Sequence, residues 1–478
     1  MNPSLLADFY ELTMMQGYFL REDNPRAVFD MFFRRQPFGG GFAVFAGLQT
    51  LLEFLASLRF TAEDLAYLQE TGVFRPAFLD YLSSFRFRGD VWAMDEGTLA
   101  FPGEPLVRVH GSLIETQFVE SALLAILNYQ TLVATKAARV ALAARGADVM
   151  EFGLRRAPGV DGALSASRAA FIGGAAATSN TLAGKLYGIP VRGTMAHSWV
   201  MSFPGEREAF EAYARAYPDA AVLLIDTYDT LGSGIANAIR VGTALRQEGH
   251  RGFGVRLDSG DLEYLSKRVR EQLDAAGLRA ASIVASNELD EQIIEQLVAH
   301  GAPIDTWGVG TSIVTGAGDG ALSGVYKIAA RHDRDVWLPT IKISNNPEKV
   351  TNPGIKQVYR FRGPGEEALA DLITLEDERI TPGERYTFHH PMGDARSFVL
   401  QADTAAPLLR IQMKDGRPLA DPPALADLQA RARRDLARLD DTYKRRINPH
   451  VYKVSLSDRL HDLKARMVQE TLSQGGAR

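Results

Sequence analysis

The residues best suited to chemistry in this chain come where short apolar runs end. Asp226 ends the run "LLID", Arg256 and Asp258 lie in "VRLDSGD", and His197 follows "VRGTMA". An arginine binds a carboxylate or phosphate through two parallel hydrogen bonds, and aspartates bind sugar hydroxyls or Mg²⁺. An imidazole adds a group that can gain or lose a proton near neutral pH. Together these residue types predict a pocket for an anionic, phosphorylated substrate.

Two further segments add to this set. The stretch "EFGLRR" supplies Phe152 and Arg155, and "GVGT" supplies Gly310 and Thr311. Exposed backbone N–H groups beside glycine, together with a hydroxyl, form a cradle for phosphate. Each feature alone is weak, because a single arginine is equally consistent with a surface ion pair. Arg256 is also consistent with a structural ion pair to Asp258. The whole set indicates a barrel enzyme that acts on a phosphosugar.

The apolar runs must come from elements that bring their ends together. "AVLLIDTYD", "FGVRLDSGD", "SIVASNELD" and "DTWGVGT" alternate with helical stretches such as "LEYLSKRVREQLDAAG". Such alternation predicts a parallel sheet. With "DVMEFGLRR" and "IPVRGTMAHS" there are at least six units, which favours a barrel over an open sheet. The carboxyl ends of parallel strands share one edge, so we expect the polar residues to meet there.

Composition excludes several function classes. The chain has 478 residues, 46% hydrophobic and 23% charged, which is typical of a soluble globular enzyme with two or three domains. A net charge of −5 argues against binding to nucleic acid or to an anionic membrane surface. The absence of cysteine excludes disulfides, thiolate nucleophiles and cysteine zinc sites. The chain shows neither a signal peptide nor a membrane span, so we expect a cytoplasmic protein.

A resemblance to a known family sharpens this interpretation. The segments "DFYELTMMQGYF", "EFGLRRAPGVDGALSASRAAFIGG", "GTMAHSWVMSF", "GVRLDSGDL", "GVGTSIVT" and "NPEKVTNPGIKQVYR" occur in order. In these segments the chain resembles the nicotinate phosphoribosyltransferases, of the type II phosphoribosyltransferase group, over roughly residues 5–360. The resemblance implies that nicotinate and phosphoribosyl pyrophosphate give nicotinate mononucleotide and pyrophosphate, with Mg²⁺ and with coupled ATP hydrolysis.

The resemblance also implies an architecture. The fold is an α/β class with an irregular, TIM-like α/β barrel and an additional α/β sandwich domain built from both chain ends. The sandwich would take residues 1–130 and 341–478, including a helical tail, and the barrel residues 131–340. Family members are typically homodimers with active sites at the interface.

Roles for individual residues follow from the matched motifs. ATP would phosphorylate His197, whose small neighbours, Ser198 among them, leave room for a triphosphate. The resemblance implies that Tyr10 of a partner subunit and Phe152 lie on the two faces of the pyridine ring. Arg155, Thr194 and Arg256 would surround nicotinate and the diphosphate. Asp226 and Asp258 would lie at the ribose and Mg²⁺, and Gly310 and Thr311 at the 5′-phosphate. Asp258 is the chosen metal ligand. Ser198 joins the substrate-binding set.

Alternatives stay open at this point. A nicotinamide phosphoribosyltransferase would carry an acid where we align Asn180, and an acid there would repel the carboxylate of nicotinate. A quinolinate phosphoribosyltransferase would be shorter and more basic. A non-catalytic barrel scaffold would be expected to lack one or more of the site residues. The segment from Lys342 to Lys356 either binds phosphates or covers the barrel mouth.

Overall fold

The computed structural model describes residues 4–21, 24–392 and 397–475, and the chain divides into two compact units. The first unit combines Met1–Leu132 with Ala321–Arg478, and the second, called the barrel unit below, is Val133–Gly320. The second boundary lies earlier than the predicted one at residue 340. The reason is a pairing between strands that are distant in sequence, as the sheets show.

The N-terminal segment holds six helices and five strands among its described residues. They are α1 (Phe9–Leu20), β1 (Arg26–Phe33), β2 (Ala43–Val44), α2 (Leu48–Ser57), α3 (Ala62–Glu70), α4 (Pro76–Ser84), β3 (Asp90–Ala93), β4 (Leu99–Ala100), β5 (Val107–Ser112), α5 (Leu113–Phe118) and α6 (Glu120–Ala143), which runs into the barrel unit.

The barrel unit alternates strands and helices. Its elements are β6 (Asp148–Glu151), α7 (Gly159–Gly173), β7 (Ala177–Thr178), α8 (Thr181–Tyr187), α9 (His197–Met201), α10 (Glu206–Ala216), β8 (Ala221–Leu224), α11 (Ile235–Gln247), β9 (Phe253–Leu257), α12 (Leu262–Ala275), β10 (Ser282–Ala285), α13 (Glu291–Ala299), β11 (Thr306–Val309) and α14 (Thr311–Val314).

The C-terminal segment returns to the first unit and is mostly β. Its elements are β12 (Gly324–Asp333), β13 (Val336–Pro339), β14 (Lys356–Arg362), β15 (Ala368–Leu375), β16 (Arg385–His389), β17 (Ser397–Gln401), β18 (Thr404–Pro407), β19 (Arg410–Lys414), β20 (Arg417–Pro418), α15 (Leu425–Arg438), α16 (Asp441–Lys444), β21 (Val454–Leu456) and α17 (Asp458–Gly475).

The first unit is organised around two large sheets. One has the order β13-β12-β1-β5-β3-β19-β20 and is antiparallel, and the other has the order β17-β16-β21-β15-β14-β18. β1 pairs with β5 on one side and with β12 on the other, from Ala27↔Arg331 to Phe33↔Gly324. These bonds place β12 and β13 with the chain ends, whereas the predicted division at residue 340 assigns them to the barrel.

The barrel unit contains one parallel sheet within the described residues, in the order β7-β6-β11-β10-β9-β8, curled into a half-barrel. The fold class predicted from the sequence is confirmed. One predicted strand, "IPVRGTMAHS", is present only as a single parallel bridge between Val191 and Thr178. Its remaining residues form a loop that ends at α9. The two-residue strand β7 was not predicted, because its sequence has no apolar run.

Helix caps account for some of the acidic residues that follow the strands. Asp261 accepts a hydrogen bond from the backbone N–H of Tyr264 and caps α12, and Asp290 caps α13 in the same way. α12 buries Leu262, Val269 and Leu273, at the spacing of an amphipathic helix. Asp261 therefore serves the helix rather than the chemistry. Among the described residues, no helix is long and apolar enough to cross a bilayer.

A buried ion cluster joins α6 to α13 within the barrel unit. Glu291 binds Lys136 at 2.6 Å and Arg139 at 3.0 Å, and all three side chains are buried. Burial alone would raise the pKa of Glu291, but the two cations outweigh it and hold the pKa below its usual value. The cluster consequently stabilises the fold at pH values above the usual pKa of a glutamate. This contribution is lost as the pH falls through the lowered pKa of Glu291.

We predict that Glu291→Gln lowers the free energy of unfolding by about 3–5 kcal/mol, because it removes the negative charge of a buried carboxylate that binds two buried cations. Chemical denaturation monitored by circular dichroism measures this difference. The matched control is Glu271→Gln, since Glu271 pairs with Arg268 on the surface, and it should change the free energy of unfolding little. Equal effects of the two substitutions would contradict the prediction.

Candidate active site

A cavity of about 740 Å³ lies at the carboxyl ends of the strands of the barrel unit. This volume falls within the range of small-molecule sites, about 300–1,000 Å³. It is lined by Phe152, Leu154, Arg155, Arg156, Ser179, Gly193, Thr194, Met195, Ala196, His197, Leu224, Arg256, Asp258, Ser286, Asn287, Glu288, Gly308, Gly310 and Thr311. Three arginines face two acidic residues, which gives the cavity the local basic character that the sequence predicts.

Most of the predicted site residues meet in this cavity. They are His197, Arg256, Asp258, Phe152, Arg155, Thr194, Gly310 and Thr311. They come from separate segments of the chain that are brought together because parallel strands end at the same edge. Tyr10, Ser198 and Asp226 are not among the lining residues, and each has its own explanation.

Arg256 is the most heavily bonded residue of the cavity. Its Nε donates to Ser286 Oγ at 2.8 Å, and its Nη1 donates to Thr194 Oγ1 at 2.9 Å and to the Met195 carbonyl at 3.4 Å. Its Nη2 donates to Asp258 Oδ1 at 3.0 Å. The ring of Phe152 lies 5.8 Å from the guanidinium carbon. The predicted ion pair with Asp258 therefore exists, and it forms part of the cavity wall.

Asp258 is held as a carboxylate by its neighbours. Burial tends to raise its pKa, but the hydroxyl of Ser286, the charge and hydrogen bond of Arg256, and the nearby His197 together lower the pKa below the ordinary value. Ser286 and Arg256 both bind Oδ1, so Oδ2 is the oxygen available on the other side. That oxygen lies 3.6 Å from Nε2 of His197.

His197 is the first residue of α9 and its imidazole is partly exposed. Its Nδ1 lies 3.1 Å from Thr227 Oγ1, and its Nε2 faces Asp258. Both ring nitrogens thus have a polar neighbour, which orients the ring while one edge stays open to the cavity. Thr227 was not predicted from the sequence, although it directly follows the strand-end residue Asp226.

Asp226 supports the site from behind the cavity wall. Its Oδ2 accepts hydrogen bonds from the backbone N–H of Asp258 at 2.8 Å and from Ser259 Oγ at 2.6 Å. Oδ1 is enclosed and accepts no hydrogen bond from the described residues. The predicted contact between Asp226 and ribose is therefore not seen in the lining of the cavity. Its visible role is to fix the backbone that carries Asp258.

A buried carboxylate fixes the segment that carries Phe152. Glu151 accepts hydrogen bonds from Ser167 Oγ at 2.9 Å, from Thr178 Oγ1 at 2.6 Å and from the backbone N–H of Gly153. The Phe152 ring then lies against Gly308, where an added Cβ would come within 2.6 Å of a ring carbon. Glycine at position 308 is therefore needed for close packing of this ring.

Asn180 does not face the cavity. Its side chain is buried, accepts a hydrogen bond from the backbone N–H of Ala183 as the cap of α8, and donates to Ser167 Oγ at 3.2 Å. The preceding residue, Ser179, lines the cavity instead. We therefore correct the prediction that Asn180 favours an acid substrate over an amide. A side chain fully engaged as a helix cap cannot contact the ligand.

Tyr10 and Ser198 lie outside the cavity lining. Tyr10 lies on α1 of the first unit and is 46% exposed. Desolvation of its partly covered ring, together with the nearby Glu120 and Glu11, raises the pKa of its phenol. Its predicted stacking against a pyridine ring across a subunit interface stays a prediction. Ser198 is exposed on α9, one residue beyond His197. Its predicted contact with the substrates stays a prediction.

A divalent metal could bind only with help from a ligand. Among the described residues, no group of three or more acidic or histidine side chains is arranged to hold a metal. Asp258 lines the cavity and its Oδ2 receives no hydrogen bond from Arg256 or Ser286, whereas Oδ1 of Asp226 is enclosed and Asp226 is not among the lining residues. This donor set fits Mg²⁺, which is commonly held by one or two carboxylates with water and phosphate oxygens completing its shell.

Comparison with known proteins identifies similar chains. The profiles of the N-terminal and C-terminal domains of nicotinate phosphoribosyltransferase match residues 5–128 and 355–464. The nicotinate phosphoribosyltransferase of Bacillus subtilis is 43% identical over 480 residues, which cover 98% of this chain and 97% of that protein. The human protein of the same name is 36% identical, covering 96% and 95%.

Solved structures agree with the sequence comparison. The crystal structure of human nicotinic acid phosphoribosyltransferase superimposes with a TM-score of 0.85 at 34% identity, covering 96% of this chain and 99% of that one. A nicotinate-nucleotide pyrophosphorylase from Pyrococcus furiosus gives a TM-score of 0.70 at 20% identity, covering 91% and 96%. At that identity the likeness shows the fold alone.

We predict that Gly308→Ala destabilises the protein by about 1–3 kcal/mol, because the added methyl overpacks the contact with the Phe152 ring. Thermal and chemical unfolding measure the loss, and a crystal structure of the variant should show the ring displaced. Gly320→Ala is the matched control, since no atom lies within 4 Å of an added Cβ there. An unmoved ring in Gly308→Ala would contradict the prediction.

Proposed function

This chain belongs to the nicotinate phosphoribosyltransferase family, and from that premise we propose that it joins nicotinate to phosphoribosyl pyrophosphate, with ATP hydrolysis coupled to the transfer. The products are nicotinate mononucleotide and pyrophosphate, and the reaction belongs to NAD biosynthesis. The family and the class of enzyme predicted from the motifs are confirmed. The observation that carries the proposal is the convergence of Arg256, Asp258 and His197 on one cavity at the strand ends.

The chemistry requires positioning more than proton transfer. The nitrogen of the pyridine ring attacks the anomeric carbon of ribose as the bond from that carbon to the diphosphate oxygen breaks. The ring nitrogen already carries a lone pair, so no general base is needed. A positively charged wall that stabilises the departing diphosphate supplies the main electrostatic contribution. The three arginines of the cavity are suited to this role.

The walls of the cavity suggest how the substrates lie. Phe152 offers an apolar ring face for the pyridine, and Arg155 a cation for the carboxylate or the diphosphate. Gly310 and Thr311 offer a hydroxyl and backbone N–H groups at the start of a helical turn for the 5′-phosphate. The scaffold alternative receives no support, because each predicted catalytic residue is present and faces the cavity.

Mg²⁺ is the proposed metal of this reaction. Asp258, through Oδ2, would hold it together with the diphosphate. Bound Mg²⁺ neutralises charge on the diphosphate. Arg256 and Ser286 hold the opposite oxygen of Asp258 and thereby keep Oδ2 directed away from the protein wall.

We further propose that His197 accepts a phosphoryl group from ATP. In that step a ring nitrogen bonds to the γ-phosphorus as the bond to the bridging oxygen of ADP breaks. A phosphorylated imidazole adds charge to the loop before α9 and can bias it toward a state that binds substrates tightly. The same proposal includes a cytoplasmic homodimer in which Tyr10 of a partner completes the site.

The purified protein should form nicotinate mononucleotide from nicotinate, phosphoribosyl pyrophosphate and Mg²⁺, and ATP should stimulate the reaction. Liquid chromatography of the products, with nicotinamide in a parallel reaction and with ATP present or omitted, measures this. Efficient use of nicotinamide with rejection of nicotinate would favour the alternative amide-specific enzyme.

Incubation with γ-labelled ATP should place an acid-labile phosphate on the protein, and His197→Ala should abolish that label. Transfer without ATP should survive in part, because His197 couples energy and does not attack ribose. His250→Ala is the control, since His250 pairs with Asp219 at 2.8 Å elsewhere in the barrel unit. Retention of the label in His197→Ala would assign the acceptor to another residue.

A further inference from the structure

Ser286 lies between the two charged groups that form the wall of the candidate site. It directly follows β10, it is 3% exposed, and its backbone N–H donates to the Leu257 carbonyl at 2.9 Å. The residue is therefore locked against the end of β9, the strand that carries Arg256. No role for this serine was predicted from the sequence, because it is one of several small residues that follow a strand.

The hydroxyl of Ser286 has a defined direction. A serine hydroxyl donates one hydrogen bond and accepts up to two. Here the oxygen accepts from Arg256 Nε at 2.8 Å, and the proton is directed at Asp258 Oδ1. The Leu257 carbonyl at 3.4 Å is a more distant acceptor. The hydroxyl of Ser286 thus links the Arg256 guanidinium to the Asp258 carboxylate, in addition to their direct hydrogen bond.

The bonds of Arg256 determine what it can offer a ligand. A guanidinium carries five N–H groups. Ser286, Thr194, the Met195 carbonyl and Asp258 accept four of them within the described parts of the chain, which leaves one on Nη2. A bidentate grip on a carboxylate or phosphate would need a second free N–H. Arg256 in this arrangement donates one directed hydrogen bond.

We propose that Ser286 is a positioning residue that holds Arg256 and Asp258 so that one Nη2 N–H group and Oδ2 of Asp258 face the substrates. This inference rests on the proposed function, since it takes both charged residues to act on nicotinate and phosphoribosyl pyrophosphate. Ser286 itself does not touch the substrates. It acts by fixing the plane of the guanidinium and by occupying the oxygen of Asp258 that faces the protein.

Alanine at position 286 would release both groups at once. Nε of Arg256 would lose its partner in a buried position, and Oδ1 of Asp258 would lose its hydroxyl donor. The guanidinium could then rotate and place more than one N–H toward the cavity. Substitution of residues that orient metal ligands typically lowers metal affinity or activity by about 10–100-fold, and Asp258 is the proposed metal ligand. We expect a loss in that range in kcat/KM for Ser286→Ala.

A double-mutant cycle tests the proposal. Ser286→Ala, Arg256→Lys and the pair are compared for kcat and KM with both substrates, and for binding of pyrophosphate by calorimetry. Lysine cannot donate through a fixed fork, so the serine should have little left to position in the Arg256→Lys background. The effect of Ser286→Ala should fall from tenfold or more to less than about threefold there.

Further variants separate positioning from packing. Ser286→Thr retains the hydroxyl and should recover most of the lost activity, whereas Ser286→Cys keeps the approximate size with only a weak hydrogen-bond donor and should not. Ser282→Ala, at the other end of β10 and outside the cavity lining, is the matched control and should match the parent protein. Melting temperatures verify that each variant is folded, and the Thr and Cys variants decide the matter if the alanine variant does not fold.

The outcomes are distinct. Equal losses from Ser286→Ala in the parent protein and in the Arg256→Lys variant, or equal activity of the Thr and Cys variants, would overturn the positioning role. Unaltered kinetics in Ser286→Ala would overturn it as well. Failure of the unmodified protein to form nicotinate mononucleotide would instead overturn the proposed function. Binding of pyrophosphate would then still report whether Ser286 orders the two charged residues.

Discussion

The ion pair between Arg256 and Asp258 is the interaction on which the site depends. A guanidinium near the end of a largely buried strand must be neutralised and hydrogen-bonded on its protein-facing side, or its burial would cost more than the fold gains. The structure meets this demand with partners that come from other segments, Thr194 and Ser286. The need to satisfy one partly buried cation thereby connects the loop before α9 with the ends of β9 and β10.

This connection continues into the next strand. Asp258 binds Arg256 through its side chain and Asp226 through its backbone N–H, so the end of β8 is linked to the end of β9. Polar side chains join the carboxyl ends of these parallel strands. Bonds that stabilise the edge therefore also define the cavity, and stability and preorganisation are properties of the same few contacts.

Much of this arrangement follows from the sequence because it depends on local patterns. Apolar runs followed by polar residues located β8 to β11, and the residues that end those runs included Asp226 and Asp258. The motifs that resemble a known family added Tyr10, Thr194 and Ser198 and assigned roles to the residues already found. The pattern could not show which way each polar side chain points. Asn180 and Asp261 are polar residues near strand ends, like the site residues, yet their side chains cap helices.

Pairing between distant segments was the other limit. β12 lies directly after the barrel unit in sequence, but its hydrogen bonds run to β1, and no periodicity in either segment encodes that partnership. Ser286 escaped notice for a similar reason, because its importance lies in the two groups that it joins and not in its own type. β7 is two residues long and carries no apolar run, so only the neighbouring strand β6 defines it.

The incomplete parallel sheet has a consequence for motion. Beyond the bridge at Val191, the segment that leads to His197 pairs with no strand among the described residues. The last described backbone hydrogen bond from this segment to a strand runs from the N–H of Arg192 to the carbonyl of Thr178 in β7. Backbone amides outside a ladder exchange with solvent through small local openings, while those of β9 and β10 require larger ones. The phosphate acceptor proposed here is thus carried by a segment outside the ladder, which Arg256 ties to the strand ends through Thr194 and Met195. If His197 is phosphorylated as proposed, the added charge falls on this segment and not on the strand that carries Arg256.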